Sequence, residues 1–185
     1  LARAVQYFAL VGGIQIAHTS DTANVTTIMQ AYKPTWVLVV PRVLEKAYTA
    51  VLAQAEDATG LRKSLLTDAI QVAEQYSRAR NAGQVPASLR VKHAVYDRLV
   101  YAKIRGVFGG KARAAISGAS PLNEQLAHLF TGMGLEIFEG YGLTESTAPA
   151  SVNVPGHVRL GSVGKLVPGM EAKLSPDGEL FLRGV

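Results

Sequence analysis

The spacing of apolar positions changes character several times along the chain. Ala4, Val5, Phe8 and the pair Leu10-Val11 fall at helical spacing, and Gly12-Gly13 predicts the end of that helix. Ile14-Gln15-Ile16-Ala17 then alternates as a strand does. Asp21 or Thr22 is placed to cap a second helix running through Ile28-Met29 and stopping before Lys33-Pro34. Thr35-Trp36-Val37-Leu38-Val39-Val40 is a continuous apolar, largely β-branched run closed by Pro41, which predicts a buried parallel strand with Trp36 in the core. Arg42 to Ala55 is helical again. Strands alternating with helices predict an α/β sheet with crossover helices.

Glu56 to Lys111 breaks this rhythm. Leu65, Ala69, Val72 and Tyr76 share one helical face, Val100 and Ile104 another, and Asn81 to Pro86 separates the two helical stretches. Residues 56–111 therefore read as a helical insertion. A short strand over Ala112 to Ile116 follows. Ser117-Gly118-Ala119-Ser120-Pro121 then turns into a helix, with Ser120 as its cap and Pro121 in its first turn. That helix runs to Thr131-Gly132-Met133-Gly134, and Leu135 to Phe138 is the next strand. From Val158 the period becomes two. Met170, Ala172 and Leu174 alternate with Glu171 and Lys173, Ser175 to Gly178 turns, and Glu179 to Leu182 returns as a hairpin. The expected organisation is an α/β unit over residues 1–157, carrying the insertion, and the start of a β-rich subdomain over residues 158–185. Gly161, Gly164 and Gly169 read as turn glycines.

Composition narrows the classes. With 185 residues, 48% of them apolar and 18% charged, the chain can build a sizeable core and has no signature of disorder. It has no cysteine, which excludes disulfides and thiolate metal sites. No apolar run approaches the roughly 18 residues a membrane span requires. His18, His93, His128 and His157 lack the spacing of a metal site. The net charge of +5 is uneven: residues 61–113 carry eleven basic and three acidic side chains, a local +8, and the remainder is −3. Spread around the helices, these charges read as a solvated face. The chain starts without Met inside an apolar pattern and stops after a strand-like run, so an internal piece of a longer protein is expected.

The chemistry concentrates in Glu139-Gly140-Tyr141-Gly142-Leu143-Thr144-Glu145-Ser146. This stretch follows a buried strand, and open α/β sheets bind ligands beyond the C-terminal ends of their strands. Gly140 and Gly142 let the backbone approach a ligand, and Tyr141 between them offers a flat ring for stacking. Thr144 supplies a hydroxyl suited to a phosphate oxygen. Glu145 is a hard oxygen ligand suited to a nucleotide-borne Mg2+. A glycine-rich turn with a solvated Glu is the plainer alternative that the octapeptide alone leaves open.

These residues resemble the Tyr-Gly-Leu-Thr-Glu signature of the adenylate-forming, AMP-binding enzymes. Ile116-Ser117-Gly118-Ala119-Ser120-Pro121-Leu122 is similar to the turn that forms their adenine wall. Gly161 to Gly169 and Gly178 to Gly184 resemble the family's next two blocks. Val40-Pro41-Arg42-Val43-Leu44-Glu45-Lys46 and the insertion, with Leu99 to Arg105, resemble the bacterial long-chain fatty acyl-CoA synthetase branch. The fold implied is part of a layered α/β adenylation domain.

The reaction implied is activation of a long-chain fatty acid by ATP to an acyl-adenylate, which CoA converts to acyl-CoA. By the resemblance, Gly118, Ala119 and Ser120 line one face of the adenine and Tyr141 stacks on the other. Glu139 and Gly140 lie beside the adenine edge, with Gly142 in the same nucleotide-binding stretch. Thr144 holds an α-phosphate oxygen and Glu145 ligates Mg2+, the two acting as the catalytic residues. The family's phosphate loop, ribose-binding Asp and catalytic Lys have no counterpart in these residues. The partners implied are ATP, fatty acid and CoA, not nucleic acid, in a cytoplasmic protein peripheral to the inner membrane face. A fatty acyl-AMP ligase and a non-catalytic nucleotide-binding module remain as alternative readings. Acyl chain length and oligomeric state stay open.

Overall fold

The apolar run before Pro41 and the one before the Glu139 motif lie two strands apart in one sheet. A computed structural model describes residues 2–21, 24–56 and 59–184. Its strands β1 (Trp36–Val39), β2 (Ala114–Ser117), β3 (Glu136–Leu143), β4 (Ala148–Val152) and β5 (Lys165–Leu166) stand side by side in that order. The first three are parallel, and β4 and β5 continue the sheet antiparallel. A separate antiparallel pair, β6 (Glu171–Leu174) and β7 (Leu180–Arg183), turns at Ser175–Gly178. The mixed sheet and its helices give the α/β class that the alternating pattern implies.

Helices α1 (Ala2–Gly12), α2 (Val25–Tyr32), α3 (Pro41–Glu56), α4 (Leu61–Asn81), α5 (Ala87–Tyr96), α6 (Ala102–Gly106) and α7 (Glu124–Gly132) complete the fold. A π turn over Asp97–Tyr101 joins α5 to α6. In register across the sheet, Val37, Ala115 and Ile137 form one row, and Val39, Ser117 and Glu139 the next. The apolar members of both rows join Leu44, Ala69, Tyr101, Phe130 and Met133 in the main core. The helical insertion is thereby tied into the sheet's packing. Its α4 lies against α7 so closely that a Cβ on Gly132 would stand 1.9 Å from the Ala73 carbonyl oxygen. In the same contact the buried Ser77 hydroxyl lies 3.0 Å from His128 Nδ1. Burial, and then the Arg78 charge, lower the His128 pKa. Helix α5 is fastened to α4 by Lys92 and Tyr96 on Asp68, and the Tyr101 hydroxyl donates to the Ala69 carbonyl at 2.7 Å.

Several expectations fail for identifiable reasons. Ile14 to Ala17 is not a strand, because no neighbouring strand pairs with its alternating pattern. Thr22 lies outside the described residues. The Asp21 carboxylate accepts from the Asn24 N–H at 3.0 Å, one step ahead of α2. Ser120 and Pro121 do not start α7. Asn123 does, its Oδ1 accepting from the N–H groups of Gln125 and Leu126. Trp36 is 49% exposed, and its ring stacks on Phe138 at 5.2 Å on the sheet face opposite the main core. The β1 strand is thus buried on one face only, with Trp36 and Leu38 on the open side.

Candidate nucleotide site

The parallel register Ser117↔Glu139 places the end of β2 beside the middle of β3. Gly118, Ala119 and Ser120 leave β2 where Gly140 and Tyr141 continue β3. The turn after β2 is bent by Ala119, which sits in the left-handed region at φ 73°. This bend, which a helix start at Ser120 would not allow, delays α7 to Glu124 and leaves Ala119, Ser120 and Pro121 exposed.

The motif itself is more strand than loop. Glu139 to Leu143 belong to β3 and pair with β4, with a register shift between Tyr141 and Gly142. A Cβ on Gly140 would stand 3.3 Å from the Ser151 carbonyl oxygen, a tight approach that a larger residue could meet only if the β3–β4 pairing gave slightly. Tyr141 is half-buried. Thr144 and Glu145 stand farther out, both exposed, in the turn between β3 and β4. Ser146 shapes that turn, its hydroxyl bonding the Leu143 N–H at 2.9 Å and the Leu143 carbonyl at 3.0 Å. The structure therefore sets the Gly118–Ser120 turn, which follows the end of β2, next to the stretch of β3 that continues through Gly140, Tyr141 and Gly142, with Thr144 and Glu145 on the turn beyond.

The Glu139 side chain turns inward. Its side chain is 7% exposed and is in the same row as Val39 and Ser117, on the sheet's helix-facing side. The carboxylate accepts from the Gly161 N–H at 3.3 Å and from the Leu122 N–H. Burial pushes its pKa above the ordinary carboxylate range, and those two N–H groups oppose the rise. Its main-chain carbonyl accepts from the Asn153 N–H at 2.9 Å. Glu139 thus braces the site from beneath, joining the turn after β2, the motif strand and the Gly161 loop.

Asn153, which the sequence reasoning missed, is 2% exposed and completes this brace. Its Nδ2 donates to the Ser162 carbonyl at 2.6 Å and its Oδ1 accepts from the Arg159 N–H at 2.9 Å. A lone amide between Val152 and Val154 was the signal in the sequence: a buried polar side chain must find partners. Ser117 Oγ, also buried, has no hydrogen-bond partner at the end of β2.

The donor set can be tested against the groups that the resemblance implies. No cluster of three or more His, Cys, Asp or Glu able to hold a metal occurs among the described residues. A lone exposed carboxylate such as Glu145 fits Mg2+ that arrives with phosphates supplying most of its oxygens, as this ion prefers. Flanking glycines, a half-buried tyrosine ring and a tight turn on the adjacent strand suit a flat base. A cavity of about 300 Å3 lined by Ala9, Leu10, Ile14 and His18 lies elsewhere, against α1.

The mixed sheet and its helices define an α/β protein. The family model described as AMP-binding enzyme matches residues 2–184, and the chain belongs to that family. It is 41% identical over 184 residues to the long-chain-fatty-acid–CoA ligase FadD15 of Mycobacterium bovis, a match that takes in all of this chain and 30% of the relative. It is 38% identical over 168 residues to long-chain-fatty-acid–CoA ligase 5 of Rattus norvegicus, covering 84% of this chain and 23% of that one. The chain thus spans under a third of the length of these relatives. Among solved structures, unliganded O-succinylbenzoate coenzyme A synthetase from Bacillus subtilis superposes with a TM-score of 0.52 at 15% identity, over 98% of this chain and 31% of that one. This likeness speaks to fold alone.

Proposed function

We propose that the chain forms the adenine-side wall of a longer AMP-forming long-chain fatty acid:CoA ligase, with residues 158–185 opening a β-rich subdomain. The supporting observation is that β2 ends at Ser117 in register with Glu139, which sets the Gly118–Ser120 turn next to the Gly140–Tyr141 stretch of β3, in a chain 41% identical to a ligase of that name. Gly118, Ala119 and Ser120 would border one adenine face and Tyr141 the other. Gly140 would keep the backbone close to the base edge, and Gly142 would let the strand shift register beside it. Glu139 acts here as a brace rather than through its carboxylate on the base.

Thr144 would donate its hydroxyl to an α-phosphate oxygen, and Glu145 would hold Mg2+ on the nucleotide. The ion supplies charge neutralisation as the fatty acid carboxylate approaches and pyrophosphate leaves. Fixed donors aimed at that developing charge lower the barrier without reorganising. CoA would enter as the second substrate. The setting proposed is cytoplasmic with peripheral membrane contact, and no helix among the described residues is long and apolar enough to cross a membrane.

The test is ATP–pyrophosphate exchange by the longer protein that contains this chain. Exchange should depend on a long-chain fatty acid and not on benzoate, and adding CoA should yield acyl-CoA. Exchange without thioester formation would favour the acyl-AMP ligase. No exchange with any carboxylate would refute the enzymatic reading.

A further inference from the structure

The outward side of α5 and the π turn is apolar where a solvated helix should be polar. Val91 is 68% exposed, Val95 50% and Leu99 49%, and they follow one another at i, i+4 and i+8. In an α-helix such a ladder drifts around the axis. A π turn takes in more residues per revolution, so Asp97–Tyr101 brings Leu99 back toward the line of Val91 and Val95. The same turn leaves Val100 and Tyr101 buried on the inner side, 4% and 0% exposed.

Cations without ion-pair partners flank this ridge. The three acids of residues 61–113 are all committed: Asp68 to Lys92, Glu74 to Arg78, and Asp97 to Arg105. Arg80 pairs with Glu136. Arg90, Arg98 and Lys103 are exposed on the ridge helix and have no carboxylate partner among the described residues. These three account for part of the unpaired charge behind the local +8, and they lie beside the apolar ladder.

We infer that Val91, Val95 and Leu99, flanked by Arg90, Arg98 and Lys103, form a docking face for an anionic lipid bilayer. An apolar ridge edged by cations fits the interfacial zone, where alkyl side chains enter the acyl boundary and Lys and Arg meet headgroup phosphates. A protein partner would call for shaped pockets or carboxylates to match the cations, whereas a bilayer needs only the ridge and its charged edges. The purpose of this face rests on the lipid-substrate reading above, but its test needs no turnover, so the two can fail separately.

The longer protein is sedimented with vesicles of equal parts phosphatidylglycerol and phosphatidylcholine, and with pure phosphatidylcholine vesicles. Binding should favour the anionic vesicles. Arg90→Gln, Arg98→Gln and Lys103→Gln together should weaken it about 100-fold, at about fivefold for each cation near the surface. Val91→Gln, Val95→Gln and Leu99→Gln together should also abolish sedimentation while the thermal midpoint and the exchange rate with long-chain acid presented without vesicles stay unchanged. Three results would overturn the inference: undiminished binding by either triple variant, equal binding to neutral vesicles, or a lowered thermal midpoint in the apolar variant. The last would show that the ridge packs against another part of the longer chain.

Discussion

Ala119 shows how a single residue can mark a site through its backbone. It holds φ 73° in a turn where the neighbouring Ser120 and Pro121 mimic a helix start. An L-residue in that region costs roughly 1–2 kcal/mol, while glycine's greater unfolded freedom returns about 0.5–1 kcal/mol. Ala119→Gly in the longer protein should therefore be stabilising by about 1 kcal/mol or less, read as a rise in urea midpoint at unchanged slope. A fall would mean that the Ala119 methyl makes contacts outweighing the strain. The chemistry proposed for Tyr141, Thr144 and Glu145 rests on their residue types and on the resemblance that they carry. The brace was not legible in the sequence, because no spacing announces that Glu139 turns away from the cleft to meet Leu122 and Gly161. The two N–H groups that hold it belong to distant backbone, and backbone donors are present at nearly every position.

At the level of elements, what could be read depended on whether a segment's partner is encoded nearby. The α4–α5 hairpin was legible from its two periodic faces and the polar break at Asn81 to Pro86, whereas the packing of α4 on α7, its most extensive contact, was not. Ile14 to Ala17 alternates equally well but has no strand beside it. Gly140-Tyr141-Gly142 reads as a turn in isolation, yet pairing with β4 draws it into β3. The α4–α7 contact rests on one glycine. A methyl at Gly132 would meet the Ala73 carbonyl at 1.9 Å, a backbone atom that no rotamer change removes. Gly132→Ala should force the helices apart and destabilise by about 3 kcal/mol, the upper end of overpacking costs. Ala73→Gly should not rescue it, because the clash is with main chain. Chemical denaturation of the single and double variants checks both statements, and a neutral Gly132→Ala would refute the close approach.

For the molecule as a whole, the parallel strands β1 to β3 present two different faces. One carries the core beneath α4 and α7, and the other leaves Trp36 and Leu38 open with Trp36 stacked on Phe138. The candidate ligand residues come from three segments in turn: the Gly118–Ser120 turn after β2, Tyr141 within β3, and the Thr144–Glu145 turn between β3 and β4. The central claim is that these segments serve one nucleotide with separable roles. It is tested most directly by ATP–pyrophosphate exchange in the longer protein, titrating Mg2+ and ATP separately against two variants. Glu145→Gln keeps the shape and one oxygen but loses the charge that holds Mg2+, so its defect should be partly relieved by raised Mg2+. Tyr141→Ala should weaken ATP binding by about 1–3 kcal/mol, if stacking of bases on nucleic-acid-binding proteins is a fair guide, and respond to raised ATP instead. Near-normal exchange by Glu145→Gln, or identical responses of the two variants to both titrations, would contradict the account.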